Sequence, residues 1–181
     1  MAPNATIYKA ELQVSDMDRH YYATHTLTLA CHPSETAERL MVRLLAFALY
    51  ADERLEFGKG LSNEEEPDLW RRNYAGEIEL LIELGQPDES RIRKACARAR
   101  QVVVVNYGGH AADVWWDKVA GSLARYRNLT VLDIPEATVR QLAELLERSM
   151  RLQVLVQDGE LQLMDGSRSV SVHARRRMGS D

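Results

Sequence analysis

Four consecutive valines, Val102 to Val105, close a segment in which an alternating stretch is followed by a basic helical pattern, and this order limits the fold more than any other feature. An apolar run of this kind, ended by Gly108-Gly109, reads as a buried strand. Upstream, Ile78, Leu80, Ile82 and Leu84 alternate with Glu77, Glu79, Leu81 and Glu83. The alternation predicts a strand with one apolar face and Glu83 at its end. Gly85 breaks that strand, and Pro87-Asp88-Glu89 reads as a helix start. Ile92, Ala95, Cys96 and Ala99 form the apolar face of this helix. Lys94 projects from nearly the opposite side, and Arg91, Lys94 and Arg98 lie together as either a solvated face or a phosphate-contacting patch.

The flanking segments extend this strand-helix-strand core. Residues 4 to 14 alternate, and a threonine-rich alternation follows from Tyr22 to Cys31, which predicts an antiparallel hairpin. Ser34 is a suitable N-cap for a helical pattern reaching about Arg54, with apolar residues at 41, 42, 45, 48 and 49. Stepping back three and four residues from Met41 and Val42 lands on Glu38, which this register turns toward the core. Gly58, Gly60, Glu64-Glu65-Glu66 and Pro67-Asp68 read as a loop entering a short strand. A helix over 110 to 127, a strand over 130 to 134 and a helix from Pro135 to about Met150 complete an α/β alternation. Only one of the adjacent Trp115 and Trp116 can face the core.

Past Leu152 the period returns to two. Asp158-Gly159 predicts a hairpin, and Asp165-Gly166 a second turn. These strands are expected to join the N-terminal hairpin in one antiparallel sheet, with Arg175 to Asp181 a frayed end. The expected architecture is α/β (mixed α+β): a mixed sheet flanked by helices, with further antiparallel strands from both ends of the chain, in one domain over 1–181.

Composition narrows the function classes. With 45% hydrophobic and 28% charged residues, a disordered or fibrous chain is excluded. No stretch approaches the roughly 18 apolar residues of a membrane span, and the N-terminus lacks a signal-peptide pattern, so a cytoplasmic location without membrane partners is expected. Cys31 and Cys96 lack metal-ligand spacing and read as buried free thiols. A net charge of -4 argues against strong constitutive nucleic-acid binding but leaves room for a local basic patch.

The segments ATIYKAEL, LACHPSETAERLMVRLLAFALYADERLEFGKGLS, EPDLWRRN and IELGQPDESRIRKAC resemble the YaeQ family of bacterial proteins in order and spacing. The resemblance covers nearly the whole chain and implies a variation on the PD-(D/E)XK nuclease fold, without implying an activity. In that pattern converging carboxylates hold Mg²⁺, and a neighbouring lysine orients or activates water. Pro67-Asp68 is similar to the PD dipeptide, Glu83 to the (D/E) position, and Glu38 to the acid given by the preceding helix. Gly85 stands where the lysine belongs, which leaves Lys94 as the nearest substitute.

Each candidate also has a plain structural reading. Glu38 can complement a helix dipole; Asp68 can be a loop end; Lys94 can be a solvated lysine. Glu83 is the strongest, because an unpaired carboxylate on an interior strand is costly. Glu79, about 13 Å along the same strand, is a backup ligand only. Two functions follow: a Mg²⁺-dependent nuclease or phosphodiesterase acting on nucleic acid through Glu38, Asp68, Glu83 and Lys94, or a catalytically degenerate binding or regulatory module on the same architecture. Oligomeric state is left open.

Overall fold

The computed structural model describes residues 4–59 and 65–179. In chain order the elements are β1 (Thr6–Asp16), β2 (Tyr21–Cys31), α1 (Ala37–Leu49), β3 (Leu55–Phe57), β4 (Leu69–Arg72), β5 (Ile78–Leu84), α2 (Glu89–Arg98), β6 (Ala99–Asn106), α3 (His110–Leu123), β7 (Leu129–Asp133), α4 (Glu136–Glu144), β8 (Ser149–Gln157), β9 (Glu160–Met164), β10 (Ser169–Val172) and β11 (Arg175–Met178). They build two mixed sheets flanked by four helices. One has the order β10-β9-β8-β1-β2 and the other β11-β7-β6-β5-β4-β3.

The valine strand takes the interior position expected of it. β6 pairs in parallel with β5 on one side and β7 on the other, and Val102 to Val105 are fully buried. Alternation then splits the sheet into two faces. Leu80, Ile82, Leu84, Val103 and Val105 pack into the larger core with α1, α4 and the inner face of the first sheet. Leu81, Val102 and Val104 pack under α2 and α3 with Ile92, Trp115 and Val119. Trp115 faces that core and donates through Nε1 to Pro87 O at 2.8 Å, while Trp116 stays half-buried.

Several expectations need correction. Thr36, not Ser34, caps α1, its hydroxyl accepting from Arg39 N at 3.1 Å. The helix ends at Leu49, five residues before Arg54. The terminal strands do not make a purely antiparallel sheet, because β8 pairs with β1 in parallel. α4 stops at Glu144, and β8 begins at Ser149, since the apolar alternation of Met150, Leu152 and Val154 fits the inner sheet face. Residues 175–178 are not frayed: they add an edge strand to β7, anchored by an Arg177 to Asp133 ion pair. Both cysteines are free but only partly buried. No helix among the described residues is long and apolar enough to cross a membrane.

Candidate functional site

Strand register brings Asp68 and Glu83 together. Leu69 pairs with Ile82 and Trp70 with Leu81, so continuing the antiparallel ladder by one residue sets Asp68 opposite Glu83. Both are buried, at 7% and 3% exposure. Asp68 Oδ2 accepts from Leu84 N at 2.9 Å, and its Oδ1 accepts from Arg39 Nη2 at 2.5 Å. Glu83 Oε1 accepts from Arg91 Nε at 3.0 Å. Each carboxylate therefore has a guanidinium of its own. Burial, and next the charge of Asp68, still push Glu83 up to about 7, against the pull of Arg91 and Arg98.

Arg39, which is not among the acids and the lysine expected from the sequence, belongs to a helical ladder. Glu35, Arg39 and Arg43 follow at intervals of four, which stacks them on one face of α1 and the turn before it. Glu35 bonds Arg39 Nη1 and Arg43 Nη2, each at 2.8 Å, and its side chain is 2% exposed. Arg43 also donates to Ala30 O at 2.9 Å, which ties the ladder to β2. The E-x3-R-x3-R spacing is the signal in the sequence that points to this ladder.

Glu38 does not join Asp68 and Glu83. It is half-buried in the first turn of α1, about 100° around the helix from Arg39. Its charge is felt by the Tyr107 phenol, whose pKa rises chiefly through burial. The inward register inferred from Met41 and Val42 misleads because α1 is buried almost all round, from Leu40 to Ala48. Among the described residues no group of three or more histidine, cysteine, aspartate or glutamate side chains is arranged to hold a metal ion. Glu79 is engaged elsewhere, with Arg54 at 2.5 Å.

Lys94 is exposed, as its distance from the apolar face of α2 requires, yet it shares a cleft with Glu83. This open cleft of about 580 Å³ is bounded by Glu65, Glu83, Asp88, Arg91, Lys94 and Arg98. Arg91, Lys94 and Arg98 lie three and four residues apart, on one flank of the helix. Arg91 reaches Glu66 O at 3.2 Å and Arg98 reaches Glu65 O at 3.0 Å, which closes the far wall against α2. Asp88 is committed to capping α2, accepting from Arg91 N at 2.8 Å. Gly85 has φ of 83° while its N–H donates to Val105 O at 2.9 Å. A lysine there would adopt the left-handed region at a cost of about 1–2 kcal/mol, so the backbone itself disfavours a lysine at this position.

The family model described as YaeQ protein matches residues 1–174. The chain belongs to the YaeQ family. It is 47% identical over 172 residues to the uncharacterized protein YaeQ of Salmonella typhi, covering 95% of each chain. It is 44% identical over 173 residues to that of Escherichia coli (strain K12), covering 96% of each. Among solved structures, the YaeQ protein from Xanthomonas axonopodis pv. citri superposes with a TM-score of 0.95 at 58% identity, over 97% of this chain and 99% of that one. The YaeQ protein from Pseudomonas syringae superposes with a TM-score of 0.93 at 34% identity, over 97% of both. The fold is thus shared with both of these solved YaeQ structures.

Proposed function

We propose that this YaeQ chain is a catalytically degenerate, nuclease-like binding module that holds phosphates of a nucleic acid in the cleft beside α2. The observation that carries the reading is that Asp68 and Glu83 are each already paired with an arginine, Arg39 and Arg91. A carboxylate held this way has less to offer an incoming cation. Gly85, with its left-handed backbone, removes the lysine position. What the cleft does offer is the Lys94 ammonium beside Arg91 and Arg98, at the flank of a capped helix. Fluorescence anisotropy with labelled single-stranded DNA and RNA tests this, run with Mg²⁺ and with chelator. Binding that survives chelation and weakens in Lys94→Ala and Arg98→Ala, with the oligonucleotide intact, supports the module; equal binding by both variants overturns it.

A second reading is favoured by one observation, the elevation of Glu83 by burial and by Asp68. Two facing carboxylates whose repulsion is incompletely relieved suit a divalent cation, and Mg²⁺ often takes one or two carboxylates together with substrate phosphate oxygens. Asp68 and Glu83 would hold it without Glu38, and a bound ion would stabilise charge on the phosphate. Lys94 would then contact the phosphodiester from the cleft rim. Calorimetric titration with Mg²⁺ and Mn²⁺, paired with a cleavage assay, separates the readings. Metal-dependent cleavage lost in both Asp68→Asn and Glu83→Gln would establish the phosphodiesterase and displace the module.

A further inference from the structure

The two sheets present four edges, and three carry a device that discourages pairing with another chain. β3 has only three residues, β10 has four, and β11 has three arginines and an irregular register between Arg176 and Met178. β2 has none of these. It runs eleven residues, Tyr21 to Cys31, in unbroken register with β1, and contains no Lys, Arg, Asp, Glu, Pro or Gly. In sheet order it lies at the end, with β1 as its paired strand. Arg43 reaches its backbone at Ala30 O.

The side chains of β2 are as unusual as its length. Thr24, Thr26 and Thr28 are exposed on the outer sheet face, with Tyr22 60% exposed beside them. Leu27 and Leu29 are buried on the inner face. Antiparallel pairing must match face with face, so an axis of two-fold symmetry passes through a residue and not between two. Placed at Thr26, the axis sets Thr26 against itself and Thr24 against Thr28 of the other copy. On the inner face it sets His25 against Leu27. Cross-strand threonine pairs are favourable, and no like charges meet anywhere along the ladder.

We infer that β2 is a self-association edge, at which a second copy of this chain adds its own β2 antiparallel about Thr26 and joins two five-stranded sheets into one of ten strands. The ladder spans Thr24 to Thr28 on each copy, clear of the end where Arg43 holds Ala30. Self-complementarity specifies the occupant: a short charged peptide would leave its charges facing threonines, whereas the same uncharged strand reversed sets threonine against threonine at every outer-face position of the ladder.

Light scattering coupled to size-exclusion chromatography, over a concentration series, tests the inference with three proteins. The wild type is expected to move toward twice the mass of the single chain as concentration rises. Thr26→Lys puts two ammonium groups across the axis and is expected to lose the dimer. The double variant Thr24→Lys with Thr28→Glu puts opposite charges across the axis twice; it is expected to keep the dimer and to release it in high salt. All three substituted positions are solvent-facing, and thermal melting checks that each variant folds. A wild type that stays at single-chain mass at the highest concentration, an assembly larger than a dimer, or a dimer that Thr26→Lys leaves intact would each overturn the inference.

Discussion

Arg91 Nε donates to Glu83 Oε1 at 3.0 Å, so one arginine both closes the buried carboxylate and walls the cleft that the carboxylate opens onto. The strength of that clasp depends on the ionisation of Glu83. Burial and the facing Asp68 raise Glu83 from 4.5 to about 7, which means that the fold favours its neutral form. The associated stability is fully present below about pH 4.5 and is lost as pH rises through about 7, an effect on the order of 3 kcal/mol. Glu83→Gln lacks this titration. The difference in urea midpoint between wild type and Glu83→Gln is therefore expected to shift in favour of the variant between pH 5 and 8. A difference that stays constant over that range refutes the assignment.

The same titration reaches ligand binding. Neutral Glu83 removes a negative charge from the cleft, so phosphate ligands are expected to bind more tightly below pH 7 than above it. Glu83→Gln should flatten that dependence in the anisotropy titration, leaving only what the ligand itself contributes.

Glu35 holds two arginines in a largely buried ladder, and truncation to Ala deprives Arg39 and Arg43 of this carboxylate. The expected destabilisation is about 3–5 kcal/mol, with an unchanged denaturant slope. Glu35→Gln, which keeps one acceptor, should cost less. Chemical denaturation followed by circular dichroism distinguishes the two.

Salt dependence reports how many cations meet phosphate. Removing one cation that neutralises a phosphate of a single-stranded ligand lowers the slope of log affinity against log salt by about 0.7. Lys94→Ala and Arg98→Ala are each expected to lower it by roughly that amount, and exposed Arg151, on β8 away from the cleft, provides a control whose substitution by Ala leaves it unchanged.

The C-terminal strand is expected to protect β7. Arg177 pairs with Asp133 and reaches Asp113 at 2.9 Å. Arg177→Ala should destabilise by about 1–3 kcal/mol, and removing residues 175–181 should speed hydrogen exchange at Leu129–Asp133 more than at the interior β6. Mass-spectrometric exchange measures both.

Periodicity made the elements of this chain readable, because burial on one face imposes a repeat of two on β5 and β8 and near 3.6 on α2. It made Glu83 readable for the same reason: an acid in the outward register of a strand that lies inside a sheet must have partners. It did not reveal those partners. Arg39 and Arg91 lie 44 residues before and eight after Glu83 in the chain, and only the packing of α1 and α2 on opposite faces of the second sheet brings both guanidinium groups to the carboxylate pair.

Glu38 shows where pattern reading fails. A helix that is buried nearly all round has no single inward face, so a register taken from Met41 and Val42 cannot say which acid points at the site. Lys94 shows the converse: its exposure on α2 follows from the helical period, but the cleft runs along that exposed flank. The sequence alone determined the α/β elements, the family, and the glycine that breaks the strand after Glu83-Leu84. Tertiary structure decided that Asp68 faces Glu83, that each acid carries its own arginine, and that β2 ends a sheet, because register and layer packing are set by contacts between segments that local periodicity does not encode.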